Sequence, residues 1–306
     1  MKHLFSFKNM LLAIFLVILI FSLTACGNNL DNDNSSEQNA VNEKPFKVGV
    51  IPAQNKGNME RAMDKLENVL AKALDRPVEI NIYSDYQGVV LAMKYNKIDM
   101  AYLGPLTYVQ VNNDTGAQAI VTQLINGEPF YYSYIIVPKD SPLNSIDDLV
   151  ARSKELNFAF GDINSTSGSL IPSIQFKKLG VYIDQENHKF KNITFTGSHD
   201  ITALAIQNKK YDAGAIDSAI FNQLVKDGKI DGEKIKVIWK SEKLFQYPWA
   251  VVKQTDSETI KKVQNAFLSI KDPDILDVFG ATGFTLAKDS DYDAIRKAAK
   301  ETGRLD

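Results

Sequence analysis

The chain has 306 residues, 44% hydrophobic and 24% charged, with 35 basic against 37 acidic side chains and a formal net charge of −2 at pH 7. That size suits roughly two globular domains at about 150 residues each. The slight excess of acid argues against nucleic acid as a partner, because a phosphate backbone is met by clustered Lys and Arg.

Lys2 and Lys8 precede an unbroken apolar run from Met10 to Phe21, the pattern of a secretory signal and short for a membrane span. Leu23-Thr24-Ala25-Cys26 follows and resembles the lipobox of bacterial lipoproteins. The resemblance implies that residues 1–25 are a removed signal peptide and that Cys26 carries a diacyl lipid, enough to hold the chain on the extracytoplasmic face of a cell membrane. Lipid on the only cysteine leaves no thiol for a disulfide, for thiolate catalysis or for a metal. Gly27 to Lys44 is rich in Asn, Asp, Ser and Glu with almost nothing apolar, so residues 26–45 are expected to be a flexible tether.

Phe46 to Ile51 reads as a strand, and Met59, Met63, Leu66, Val69, Leu70 and Ala73 recur at helical spacing. Val78 to Tyr83 is predicted as a strand, Gln87 to Tyr95 as a helix, and Ile98 to Leu103 as a strand ending at Gly104-Pro105, which starts a helix. Ala117 to Val137 is β-rich. Ser145 and Asp148 form a variant capping box, Phe158 to Phe160 is a strand, and Ser167 to Lys178 is helical, with Pro172 either kinking it or marking a later start. Ile201–Asn208, Ala213–Ile216, Ala219–Lys226 and Ile235–Trp239 continue as helix, strand, helix, strand, and helices dominate from Ser257 onward with Pro273 heading one. Strands alternating with helices predict an α/β architecture with sheets covered on both faces and ligands beyond the strand ends.

Three sets of residues could carry chemistry. Gly161 to Ser169 (GDINSTSGS) lies between a strand and a helix, where Ser165, Thr166 and Ser167 offer three hydroxyls beside free backbone N–H groups and the positive end of a helix. That suits an anion with several oxygens, and it also suits an ordinary N-cap with solvated serines. Gly197-Ser198-His199-Asp200 places a histidine at another helix start, as an oxyanion donor or a plain loop residue. Tyrosines form the third set: Tyr86, Tyr102 and the cluster Tyr131, Tyr132, Tyr134, where the alternative is core packing. Asp217 and Ser218 begin a helix and read most simply as caps. No Gly-x-x-x-x-Gly-Lys, Gly-x-Ser-x-Gly or metal-ligand spacing is present, and of the three histidines His3 leaves with the signal. The residues point to neither an enzyme, a metal site nor a cofactor.

Asp85-Tyr86-Gln87-Gly88, Tyr102-x-Gly104-Pro105, Asn164-Ser165-Thr166-Ser167-Gly168, Gly197-Ser198-His199-Asp200 and Ala215-Ile216-Asp217-Ser218 occur in the order and rough spacing of the phosphate/phosphite/phosphonate-binding proteins of ABC importers. The resemblance runs from about Phe46 to Pro248. It implies a type II periplasmic-binding-protein fold: two α/β lobes, 46–134 with 250–306 and 135–249, joined by crossovers at Tyr131–Pro138 and Tyr247–Lys253. It also implies a small phosphorus oxyanion as ligand, an ABC permease as partner, and a cleft in which Tyr86 and Tyr131 from the first lobe face Ser165, Thr166, Ser167 and His199 from the second. Asp217 then reads as an acceptor for a protonated ligand oxygen. Ala219 and Tyr247 stand where aminoalkylphosphonate receptors carry carboxylates, and Tyr247-Pro248-Trp249 makes that wall aromatic, which favours a ligand without an amine. The competing readings are a receptor for inorganic phosphate or another oxyanion, a ligand sensor, and, last, an enzyme built on this fold.

Overall fold

The computed structural model describes residues 44–54 and 56–305. The signal segment, Cys26 and the tether up to residue 43 lie outside the described residues.

β1 (Phe46–Val50) and β2 (Val78–Ile82) pair in parallel from Phe46↔Val78 to Val50↔Ile82, with α1 (Lys56–Leu74) crossing between them. The stripe Met59, Met63, Leu66 and Leu70 is buried on the sheet, as its helical spacing predicts. α2 (Tyr86–Lys94) is capped by Asp85, whose carboxylate accepts the Gly88 N–H at 2.7 Å. β3 (Met100–Tyr102) pairs with the other edge of β1, and Pro105 then opens α3 (Pro105–Thr115). β4 (Gln118–Leu124), β5 (Phe130–Tyr131) and β6 (Ser133–Pro138) make up the β-rich stretch. The capping box at α4 (Ile146–Ala151) has both halves: Ser145 Oγ accepts the Asp148 N–H at 3.1 Å, and the Asp148 carboxylate accepts the Ser145 N–H at 3.0 Å.

β7 (Asn157–Phe160) is followed by a π-helical turn, Thr166–Leu170, that passes into α5 (Ile171–Lys178). Pro172 therefore marks a change of helix type instead of kinking one continuous helix. It falls in the first turn of α5, and the carbonyls its N–H would otherwise meet, Ser167 O and Gly168 O, accept from Ser133 Oγ and Gly161 N–H instead. Next come β8 (Asn192–Phe195), α6 (His199–Gln207), β9 (Ala213–Asp217), α7 (Ser218–Lys226), β10 (Ile235–Lys240), β11 (Leu244–Phe245) and β12 (Pro248–Val251). α8 (Ser257–Ser269), α9 (Pro273–Val278), β13 (Gly283–Leu286) and α10 (Asp293–Glu301) complete the chain. The short β13, missed in a region read as helical, is the edge strand of a sheet.

The strands form two sheets, ordered β13-β4-β12-β3-β1-β2 and β10-β6-β9-β7-β8. In each, a parallel trio is extended by antiparallel strands. In the second sheet Ile135 and Ala215 pack in one cluster with Phe158, Phe160 and Phe176, while their neighbours Ile136 and Ile216 pack on the opposite face with Ala203 and Ile206. That alternation is the signature of a sheet covered on both sides.

Tyr131–Pro138 and Tyr247–Lys253 are not simple crossovers. β6 and β12 are full members of the second and first sheets, and the passages between sheets lie just before them, at β5 and β11. These two pair antiparallel as a separate ribbon, Leu244↔Tyr131 and Phe245↔Phe130, with the two phenyl rings edge to face at 5.7 Å. The backbone groups of each passage thus satisfy those of the other.

Candidate ligand-binding site

Helix starts from both sheets converge on one buried point. The Ser165–Ser167 loop owes its shape to two glycines. Gly161 N–H donates to Gly168 O at 2.9 Å, and a Cβ on Gly168 would stand 3.0 Å from Gly161 Cα, so only glycine permits the approach. Ser165 Oγ accepts the Gly168 N–H at 3.0 Å and closes the turn. The N–H groups of Thr166 and Ser167 begin the helical run, where no carbonyl of the same helix can reach them and the dipole is positive.

Elements next to both sheets meet this loop directly. Leu106 N–H donates to Thr166 Oγ1 at 2.8 Å, and Ser133 Oγ donates to Ser167 O at 2.6 Å. Tyr86, the first residue of α2, lies near enough to Ser165 for the two hydroxyls to influence each other, as Tyr131 does to Thr166 and Ser167. Neither phenol makes a well-formed hydrogen bond. Tyr86 Oη, Tyr131 Oη, Ser167 Oγ and Asp217 Oδ2 are all buried and without a partner, on residues no more than 1% exposed. Isolated buried polar atoms cost about 1–3 kcal/mol each, so four at one place mark a site made for something else.

His199 heads α6. Its backbone N–H donates to Ala53 O at 3.2 Å, and its Nδ1 accepts the Asp217 N–H at 3.3 Å. An accepting Nδ1 puts the ring hydrogen on Nε2, which faces Tyr247 Oη at 3.2 Å. Burial pushes the imidazole from 6.5 down to about 3, so it is a neutral donor at physiological pH. Burial likewise holds the Tyr86, Tyr131 and Tyr247 phenols well above 10.0, as uncharged donors. Asp217 caps α7 with Oδ1, which accepts Ala219 N–H at 2.7 Å and Ile220 N–H at 3.1 Å. Its other oxygen faces the site, and burial raises the carboxyl from 3.8 to about 7 despite the two backbone donors. The set is one of neutral donors plus one carboxyl that can give or take a proton.

All eight site residues expected from the sequence, Tyr86, Tyr131, Ser165, Thr166, Ser167, His199, Asp217 and Tyr247, come together here. Tyr132 and Tyr134 do not: Tyr132 carries the Lys240 ammonium 3.6 Å over its ring, and Tyr134 packs edge-on against Phe221. Trp249 is no part of the wall either, since it lies in the first core between Tyr102 and Phe267 at 4.9 and 4.8 Å. Ala219 and Tyr247 do border one small chamber beside Asp217. Unforeseen from the sequence are Gln123 in β4, which donates to Tyr102 Oη at 2.9 Å, and Asp162, whose carboxyl burial raises next to the start of α2. Asp162 sits inside the hydroxyl motif and was open to notice; a single glutamine in a strand carries no signal.

Two sheets joined by a paired ribbon, with a buried donor set between them, define a solute receptor of the type II periplasmic-binding-protein class. The chain belongs to the family described as "ABC transporter, phosphonate, periplasmic substrate-binding protein", whose pattern matches residues 48–292. It is 30% identical over 266 residues to the phosphonates-binding periplasmic protein of Escherichia coli (strain K12), covering 84% of this chain and 76% of that one. It is 28% identical over 277 residues to a probable ABC transporter phosphite binding protein of Prochlorococcus marinus (strain MIT 9301), covering 86% and 92%. The solved structure of PhnD1 from Prochlorococcus marinus (MIT 9301) in complex with methylphosphonate superimposes with a TM-score of 0.77 at 27% identity, over 86% of this chain and 99% of that one.

Proposed function

We propose that this chain captures a small phosphorus oxyanion, a phosphonate or phosphite, outside the cytoplasm and hands it to the permease of an ABC importer. The observation that carries the reading is the convergence of Tyr86 Oη, Tyr131 Oη and Ser167 Oγ, buried and unpartnered, on the start of a helical run. With His199 Nε2–H and the Ser165 and Thr166 hydroxyls they supply donors from several directions, as a tetrahedral anion requires. Relatives named for phosphonates, phosphite and a methylphosphonate complex support the same ligand class.

In this reading residues 46–134 with 250–306 and residues 135–249 are the two lobes, and the bound anion favours their closed arrangement, which the permease recognises. The lipid on Cys26 and the tether keep the receptor at the membrane, within reach of that partner. The test is calorimetry of the soluble part, from Asn42 onward, with phosphite, methylphosphonate and phosphate. Hydrogen bonds to a charged acceptor contribute about 1.5–3 kcal/mol each, so Ser167→Ala and His199→Ala should each weaken binding about ten- to a hundredfold while the circular dichroism stays unchanged. Normal binding by both variants would reject the cradle.

A further inference from the structure

Next to the cradle lies a chamber of about 20 Å³, bounded by Gln54, Gln123, Asp217, Ala219, Tyr247 and Phe279. Asp217 and Tyr247 belong to both, so the chamber borders the anion site. Its chemistry follows from the glutamines. Gln246 Oε1 accepts the Tyr247 backbone N–H at 3.1 Å, which fixes that atom as oxygen. The Gln123 group 3.1 Å from it must then be the amide NH2, which also donates to Tyr102 Oη at 2.9 Å. Gln123 Oε1 is left buried and without a partner on a residue 2% exposed. Because Tyr102 Oη accepts from Gln123, its own proton remains to be given.

With Asp217 Oδ2 turned to the anion site, the chamber presents one unpartnered acceptor, Gln123 Oε1, and one phenolic donor in Tyr102. A volume of about 20 Å³ exceeds only slightly the ~10–15 Å³ that holds one water-sized group. A methyl group fits in size and leaves Gln123 Oε1 unpaired. A longer aminoalkyl chain overfills it. A hydroxyl both donates and accepts and has the right bulk.

Resting on the oxyanion reading above, we infer that this chamber is a subsite for a hydroxyl group held one carbon from phosphorus, which makes hydroxymethyl-type phosphonates a preferred ligand class. A buried site that pairs a ligand hydroxyl discriminates strongly against the analogue lacking it, because its own polar atoms are then stranded. The decisive comparison is hydroxymethylphosphonate against ethylphosphonate, which has the same number of non-hydrogen atoms and no hydroxyl, with methylphosphonate as reference. Titration calorimetry of the wild-type protein should give at least tenfold tighter binding of the hydroxymethyl compound than of the ethyl compound. In Gln123→Leu that ratio should fall to near one, and the wild-type comparison stands by itself if the variant does not fold. Equal or tighter binding of ethylphosphonate, with methylphosphonate still bound, overturns the subsite alone. Failure of all three ligands to bind overturns the oxyanion reading and the subsite with it.

Discussion

Affinity for a phosphorus oxyanion is expected to fall as pH rises above about 7, and Asp217→Asn is expected to remove that fall. Burial moves the carboxyl from 3.8 to about 7, which corresponds to about 4 kcal/mol in favour of its protonated form. The folded pKa is raised, so this group favours the folded state below 3.8 and loses that contribution as pH climbs through 7. Binding follows the same sign. Below 7, Oδ2–H donates to an oxyanion; above it, a bare carboxylate faces the ligand's charge and the complex must take up a proton. One proton taken up costs about 1.4 kcal/mol, or tenfold in affinity, for each pH unit. Asparagine preserves the cap, because its oxygen still accepts the Ala219 and Ile220 N–H groups, and it puts an NH2 where Oδ2–H stood. Titrations at about pH 6, 7, 8 and 9 in two buffers of different ionisation heat measure both slope and proton uptake. Wild type and variant meet the same ligand, so its own ionisation cancels in their difference. An unchanged slope and uptake in Asp217→Asn would show that the carboxyl shares no proton with the ligand.

Two further outcomes are expected. 2-Aminoethylphosphonate should bind at least tenfold more weakly than phosphite or methylphosphonate, since its ammonium enters a dry site bounded by Ala219 and Tyr247, where an unpaired charge costs several kcal/mol. Ala219→Glu should narrow the gap, and equal binding of the amino compound by the wild type would mean that Asp217 supplies the pairing. Cys26→Ser should release the protein to the medium or leave it unprocessed, as read by detergent partitioning and gel mobility; a processed variant that still partitions into detergent would remove the lipid assignment.

The sequence made visible whatever is local. Ser165, Thr166 and Ser167 are neighbours in the chain, the Ser145 capping box is a four-residue pattern, and the α1 stripe repeats within one helix. Tyr86 and Tyr131 stood out only as members of a tyrosine set, and their place opposite the Ser165 loop came from the family resemblance, because that meeting depends on how two sheets face one another. Gln123 was out of reach for the same reason: in Gln118–Leu124 it looks like any polar residue of a strand, and only its bond to Tyr102 distinguishes it. The Pro172 ambiguity persisted because a π-helical turn followed by an α-helix has no compositional mark, and the passages between sheets were misplaced because pairing between two-residue strands such as Leu244–Phe245 and Phe130–Tyr131 leaves almost no periodicity.

The eight residues proposed as the cradle include no Lys or Arg. A site of uncharged dipoles attracts an anion only at contact, because dipolar fields fade within a few ångströms, and the body around it is itself slightly acidic. Capture is then not steered from afar, and dissolved salt has little to screen once the ligand is enclosed. Affinity is therefore expected to change little between low and high salt. Such a receptor tells one anion from another by the positions of its oxygens and protons rather than by the amount of charge.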